Sequence, residues 1–199
     1  MDPSYTVYSI PAVPGQHHIV QYKELRLQSI KTDPDYFSSS YERELSLSYE
    51  QWKARLHSRD KVTIIAAASF QSSERLSWQH KWVGMLTVIG PKVLKTFGFI
   101  PPCSIKGFGS YYLFMGVWVH PGHRGNALGK RMIVSGMDWI RADDASGSET
   151  KEKRTLLVQV TPNNQRLIEL YSSMGFHFTE GDEGPKDENL WMSMELPEY

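Results

Sequence analysis

The feature that most restricts how this chain can fold is a strand, a tight turn, a helix and a second strand in close succession. Leu113 to Val119 is an apolar strand-length run. The small-residue segment His120-Pro121-Gly122-His123-Arg124-Gly125-Asn126-Ala127-Leu128-Gly129-Lys130 follows it. A helical pattern then places Leu128, Met132, Ser135 or Gly136, and Trp139 on one face, and Leu156 to Val160 reads as a fully buried strand. Strands joined through a helix pair in parallel, so the chain is expected to carry a βαβ unit inside an α/β sheet.

The flanking segments fill out that sheet. Tyr5 to Ile10 reads as a first strand ending at Pro11 and Pro14, and Tyr22 to Ile30 as a helix stopped by Asp33-Pro34-Asp35. Ser39 and Glu42 have capping-box spacing at the start of a second helix, whose Leu45, Tyr49, Trp52 and Leu56 make one stripe. Val62 to Phe70 and Trp82 to Ile89 are expected to form a hairpin around the polar stretch Gln71 to Arg75. Lys92 to Ser110 is expected to be an irregular connection over a cleft, and Arg141 to Arg154 a solvated loop. After Pro162, Leu167, Leu170, Tyr171 and Met174 form a helical stripe capped by Gly175, and Phe176 to Thr179 and Leu190 to Leu196 are closing strands. Nothing reads as a domain linker, so residues 1–199 are expected to form one domain.

Composition narrows the function classes. The chain has 199 residues, with 22 basic side chains balanced by 22 acidic ones. That balance argues against a broad nucleic-acid or anionic-membrane surface. No window approaches the roughly 20 apolar residues of a membrane span, and the N-terminus lacks the features of a secretory signal. The single cysteine, Cys103, excludes an intramolecular disulfide and a multi-cysteine zinc site. A monomer or homodimer of the cytoplasm or nucleus, binding neither nucleic acid nor membrane, is the expectation.

The glycine turn is the feature with chemistry in it. A strand-to-helix turn leaves several backbone amides free, and with the positive end of the helix dipole these make an anion site. Arg124 and Lys130 add positive charge. A Walker A loop would need Ser or Thr after Gly129-Lys130 and a glycine where Arg124 stands. The Rossmann spacing fails at Ala127 and Lys130.

Arg124-Gly125-Asn126-Ala127-Leu128-Gly129 resembles the acetyl-CoA turn of the GCN5-related N-acetyltransferase (GNAT) superfamily, R/Q-x-x-G-x-G/A, with Ala127 in place of the usual glycine. A later segment is similar to the family's second signature: Asn164, six residues, Tyr171, then Gly175-Phe176. The order of elements along nearly the whole chain fits as well. The resemblance implies an α/β (α+β) fold with a mixed central sheet, splayed parallel central strands and about four flanking helices. It further implies acetyl-CoA as cosubstrate, no metal, and a small-molecule, peptide or protein amine as acceptor. Cofactor contacts are implied for Val117, Val119, Gly125, Asn126, Ala127, Leu128, Gly129, Lys130, Arg124, Asn164 and Tyr171. The catalytic roles implied are a Tyr171 general acid and an oxyanion contact from the Val117 amide.

The chemistry needs a neutral amine, and a free lysine-like amine has a pKa of roughly 10.4, so a base or a depressed amine pKa is required. Many family members carry a glutamate where this chain has Met115. His120 and His123 beside the turn, and Glu42 and Glu44 on the second helix, are the alternatives. A covalent route through Cys103 lacks an activating neighbour in Pro101-Pro102-Cys103-Ser104. Met115 and Ala127 also motivate a second reading, a catalytically weak acyl-CoA-binding regulatory module of the same fold. The aromatic residues Trp78, Trp82, Phe97, Phe99, Phe108, Tyr111, Tyr112 and Trp118 are expected to fill core rather than an acceptor pocket. The acidic stretch Glu180 to Glu188 reads as a solvated hairpin turn.

Overall fold

The structure is a computed structural model that describes residues 3–71, 78–102, 105, 109–142, 153–179 and 190–196. Cys103, Phe108, the centre of the expected hairpin connection at 72–77, and the polar stretches 143–152 and 180–189 lie outside those residues. The order along the chain is β1 (Ser4–Ser9), α1 (Gln16–Thr32), α2 (Tyr41–Leu45), α3 (Tyr49–Leu56), β2 (Lys61–Gln71) and β3 (Trp78–Ile89), followed by α4 (Pro91–Thr96) and β4 (Ser110–Val119). It continues with α5 (Leu128–Ala142), β5 (Arg154–Val160), α6 (Gln165–Ser173), β6 (His177–Phe178) and β7 (Leu190–Glu195). The seven strands form one sheet in the order β1-β2-β3-β4-β5-β7-β6. Among the described residues only β4 and β5 are parallel, as their crossover through α5 requires.

Alternation along the strands loads both faces of the sheet. Ile64, Ala66, Val83, Leu86, Val88 and Phe114 face α5, whose Met132, Ile133 and Ile140 are fully buried against them. Ile65, Ala67, Trp82, Met85 and Trp118 face α1 and α3, packing with Ile19, Tyr22, Leu25 and Trp52. Each fully buried aliphatic side chain contributes about 1.5–3 kcal/mol. Among the expected aromatics, Trp82, Tyr112 and Trp118 are buried, whereas Phe97 is 77% exposed.

Several elements differ from the sequence expectation: α1 begins at Gln16, not Tyr22, and β3 at Trp78, not Trp82. The expected second helix is two short helices: Ser40, not Ser39, caps α2, and Ser48 with Gln51 forms a reciprocal capping box at α3. The stripe is accordingly split, with Leu45 and Tyr49 exposed and Trp52 and Leu56 buried. The connection expected to be irregular from Lys92 opens on α4, whose first residue is Pro91, where a missing N–H costs nothing. Leu94 of that helix is buried with Leu113 and Leu157. Among the described residues no helix is long and apolar enough to cross a membrane.

Candidate active site

Two departures from regular pairing open the centre of the sheet. The parallel pairing of β4 with β5 ends at Phe114 opposite Val158. On the other side of β4, Thr87 pairs with Met115 and Met85 with Trp118, so Leu86 alone faces both Gly116 and Val117. That extra residue is a β-bulge, which bends the strand and increases its twist. Gly116 has φ +64°, a conformation glycine adopts without strain. The bulge and the end of the β4–β5 ladder together part the two parallel strands.

Strand geometry then sets which backbone groups face the gap. The His120 amide donates to the Val83 carbonyl at 2.8 Å, so it points toward β3. Successive amides in a strand point to opposite sides, so the Val119 amide points away from β3, into the gap. The Val119 carbonyl on that side accepts from Arg124 Nε at 2.9 Å.

The turn after β4 presents backbone amides that can hold an anion. Gly125 has φ +87° and Ala127 φ +54°, and the backbone amides of Gly125 to Lys130 donate no hydrogen bond among the described residues. The first helical bond of α5 runs from the Arg131 amide to the Ala127 carbonyl at 3.0 Å. Six consecutive unpartnered amides at the positive end of a helix form a concave donor surface for phosphate. A Cβ on Gly125 would meet nothing within 4 Å, so the space in front of the turn is open. At Gly129 it would lie 3.0 Å from Leu170 Cδ2, so that glycine serves close packing of α5 on α6. Ala127 does more than add a methyl group, since its left-handed backbone is strained for any residue with a Cβ, by roughly 1–2 kcal/mol.

Arg124, expected to add positive charge at this turn, is held in an ion pair. Its Nη2 donates to Asp33 Oδ2 at 2.5 Å while its Nε holds the Val119 carbonyl. The same Asp33 oxygen accepts from Trp118 Nε1 at 2.7 Å. One carboxylate at the C-terminal cap of α1 thus ties the end of β4 to the turn. Tyr5 adds a second brace: its hydroxyl shares a hydrogen bond with His123 Nδ1 at 3.1 Å, and its carbonyl accepts from Arg131 at 3.0 Å. Sequence reasoning passed over Asp33 and Tyr5 as punctuation and strand. Lys130 is exposed on the first turn of α5.

Across the gap, Asn164 caps α6, its Oδ1 accepting from the Leu167 amide at 3.2 Å, which leaves Nδ2 for another partner. Tyr171 is 2% exposed, with its ring 5.1 Å from that of Phe176 and its hydroxyl without a hydrogen bond among the described residues. Burial pushes its phenol well above the usual tyrosine value, so it is protonated at neutral pH. Thr161 Oγ1, just after β5, is buried without a partner among the described residues.

The expected bases divide sharply. Met115 is 47% exposed and supplies no carboxylate. Glu42 is exposed on α2, whereas Glu44 is 1% exposed and ion-paired to Arg26 at 3.1 Å and Arg55 at 2.6 Å. Desolvation raises the Glu44 pKa, but the hydrogen bonds and charges of Arg26 and Arg55 outweigh it and hold the carboxyl below its ordinary range. Glu44 is a structural anion. His120 is shifted down by burial, then by Lys81 and Arg124, against Asp33; its Nδ1 accepts from the Gly122 amide at 3.2 Å. A neutral ring accepting at Nδ1 carries its proton on Nε2 and has no lone pair for an amine. His123 is shifted down by burial, His120 and Lys81.

A separate cavity of about 550 Å³ lies between α1 and the start of β3, lined by Gln21, Glu24, Gln28, His80 and Lys81 among others; none of the expected site residues lines it. Among the described residues no three His, Cys, Asp or Glu side chains are grouped to hold a metal ion.

Residues 33–176 match the acetyltransferase (GNAT) family. No curated protein matches the chain by sequence. The fold is similar to a GNAT-family acetyltransferase from Streptococcus pneumoniae, with a TM-score of 0.61 and 15% identity over 98% of this chain and 100% of that one. It is also similar to Arabidopsis thaliana NAA60 in complex with acetyl-CoA, with a TM-score of 0.60 and 13% identity over 97% and 99% of the two chains. AAC(6')-Iy, bound to the bisubstrate analogue CoA-S-monomethyl-acetylneamine, aligns with a TM-score of 0.56 and 14% identity over 89% and 93%. With its parted parallel strands, its amide-lined turn and a family match over most of its length, the chain belongs to the GNAT acetyltransferase family.

Proposed function

We propose that this chain transfers an acetyl group from acetyl-CoA to a primary amine by direct attack in a ternary complex. The observation that carries the reading is the run of unpartnered amides from Gly125 to Lys130, opening beside two strands that have parted. A pyrophosphate fits that surface, with Lys130 as an additional cation. The Val119 amide, with Asn164 at the N-cap of α6 beyond the end of β5, would hold the amide-bearing arm of the cofactor. Acetyl-CoA supplies the thioester; the chain supplies positioning, which is worth several kcal/mol on its own.

The Val117 amide, at the bulge, is the donor assigned to the carbonyl oxygen, because a backbone N–H there is preorganised. Tyr171 holds the proton for the departing thiolate. Its raised pKa keeps that proton in place until an anion forms in the same apolar gap, where desolvation raises the thiol pKa as well. With Met115 in place of a carboxylate and Glu44 locked in ion pairs, deprotonation of the amine falls to water at the open face beside Gly116, which is exposed.

The test is release of free CoA thiol on adding a mixed panel of amines to protein and acetyl-CoA, repeated with Tyr171→Phe. Amine-dependent release that falls at least tenfold in the variant, with acetyl-CoA affinity retained, is expected. Unchanged turnover in Tyr171→Phe would remove the acid assignment. Cofactor binding without release from any amine would instead favour the regulatory module motivated by Met115 and Ala127.

A further inference from the structure

On the acetyltransferase reading an amine reaches the bulge from the side of the sheet opposite the cofactor turn, and that side carries the Arg26 guanidinium and, at Met115, no carboxylate. The cofactor turn belongs to α5, on one side of the sheet, and α1 and α3 cover the other. On that second side a Cβ at Gly116 would lie 3.6 Å from Arg26 Nη1, which puts the guanidinium directly over the bulge. Nε and Nη2 of Arg26 are committed to Glu44 at 3.4 and 3.1 Å. Nη1 has no hydrogen-bond partner among the described residues and is not sealed from solvent. The side chain is held in place, since its guanidinium lies 4.5 Å from the Phe37 ring centroid and its partner Glu44 is buried.

Charge decides what such a group recognises. Glu44 is shared between Arg26 and Arg55, so two guanidiniums face one carboxylate and the trio keeps a net positive charge. Met115, which points to the same face, adds no negative charge to offset it. A cationic group on the acceptor is repelled there, and an oxyanion is attracted. Resting on the acetyltransferase reading, we infer that Arg26 is a specificity-determining residue and that the preferred acceptors carry a carboxylate close to the reacting amine. With Nε and one N–H of Nη2 given to Glu44, the two N–H groups of Nη1 remain as charge-assisted donors.

The probes are glycine, β-alanine, 4-aminobutanoate and a set of α-amino acids, each compared with its own amide. Their affinity for the protein loaded with CoA is measured by calorimetry and their turnover with acetyl-CoA by thiol release. For at least one spacing the carboxylate form is expected to bind or react, in kcat/KM, about tenfold to a hundredfold better than its amide, the range for a hydrogen bond to a charged group. Arg26→Gln should abolish the difference by weakening only the carboxylate form, and Arg26→Lys, which keeps the charge, should preserve part of it. Equal affinity and turnover for acids and amides in the wild type overturns the inference, as does a preference that both variants retain. Arg26-dependent carboxylate binding without thiol release supports this inference and defeats the acetyltransferase reading; release from amines without a carboxylate preference does the reverse.

Discussion

Replacing Glu44 by glutamine tests whether the carboxylate on the acceptor side is a structural anion or an accessible base. The side chain is 1% exposed and accepts from Arg26 Nη2 at 3.1 Å and Arg55 Nη1 at 2.6 Å, with side-chain exposures of 14% and 36% for the two arginines. Breaking a fully buried pair costs about 3–5 kcal/mol, and an exposed pair contributes about 0–1 kcal/mol. Glutamine keeps one acceptor oxygen but turns an amide N–H₂ toward a cation. Arg26 is largely buried and Arg55 borders on exposed, so the expected loss is about 2–3 kcal/mol, between those limits. In a domain of this size that lowers Tm by roughly 4–12 °C. The assay is urea unfolding of both proteins from pH 7 down to pH 3. The folded-state pKa of Glu44 is held down, so its contribution is present above the ordinary glutamate value of about 4.3 and is lost as pH falls through the folded value. The two stability curves should therefore converge at the acid end. Equal stability at pH 7, or a difference that persists undiminished into acid, would refute the reasoning.

Three further outcomes follow from the site. Ala127→Gly relieves a left-handed backbone at the cost of extra chain entropy, so stability should stay level or rise by up to about 1 kcal/mol in urea unfolding; a clear loss would contradict the φ of +54°. Asp33→Asn removes the charge that Arg124 and Trp118 share, and acetyl-CoA should bind about threefold to thirtyfold more weakly by calorimetry, since the turn loses its brace to α1. Unchanged affinity would show that the turn holds its shape without Asp33. Gly129→Val sets a branched side chain against Leu170, and should cost about 1–3 kcal/mol in thermal or urea unfolding, whereas a neutral result would mean that α5 and α6 can separate freely.

The sheet was readable where hydrophobic runs were long: β2, β3, β4 and β5 appear where apolar strands were expected, and the parallel pair follows from its crossover. The second helix was misread because Leu45, Tyr49, Trp52 and Leu56 keep helical spacing across a break made by serine caps, and spacing alone does not register a cap. Ser48 with Gln51 was a visible signal, as was Pro91 at the start of α4. The bulge also had a signal: Gly116 stands alone inside a strand pattern, which is where bulges occur. No local signal could have found the ties of Asp33 to Arg124 or of Arg26 to Glu44. Those pairs are 91 and 18 residues apart and form through tertiary packing, the first where the end of α1 meets the turn after β4 and the second where α1 meets α2.

The proposed function requires the amides of Gly125 to Lys130 to form the phosphate cradle. The direct measurement is a titration of isotope-labelled protein with acetyl-CoA, following backbone amide resonances. The largest shifts are predicted at Gly125 to Lys130 and at Val119, with desulfo-CoA giving the same pattern at the turn because it retains the phosphates. Saturable binding that leaves these amides unmoved, or the absence of binding, would contradict it.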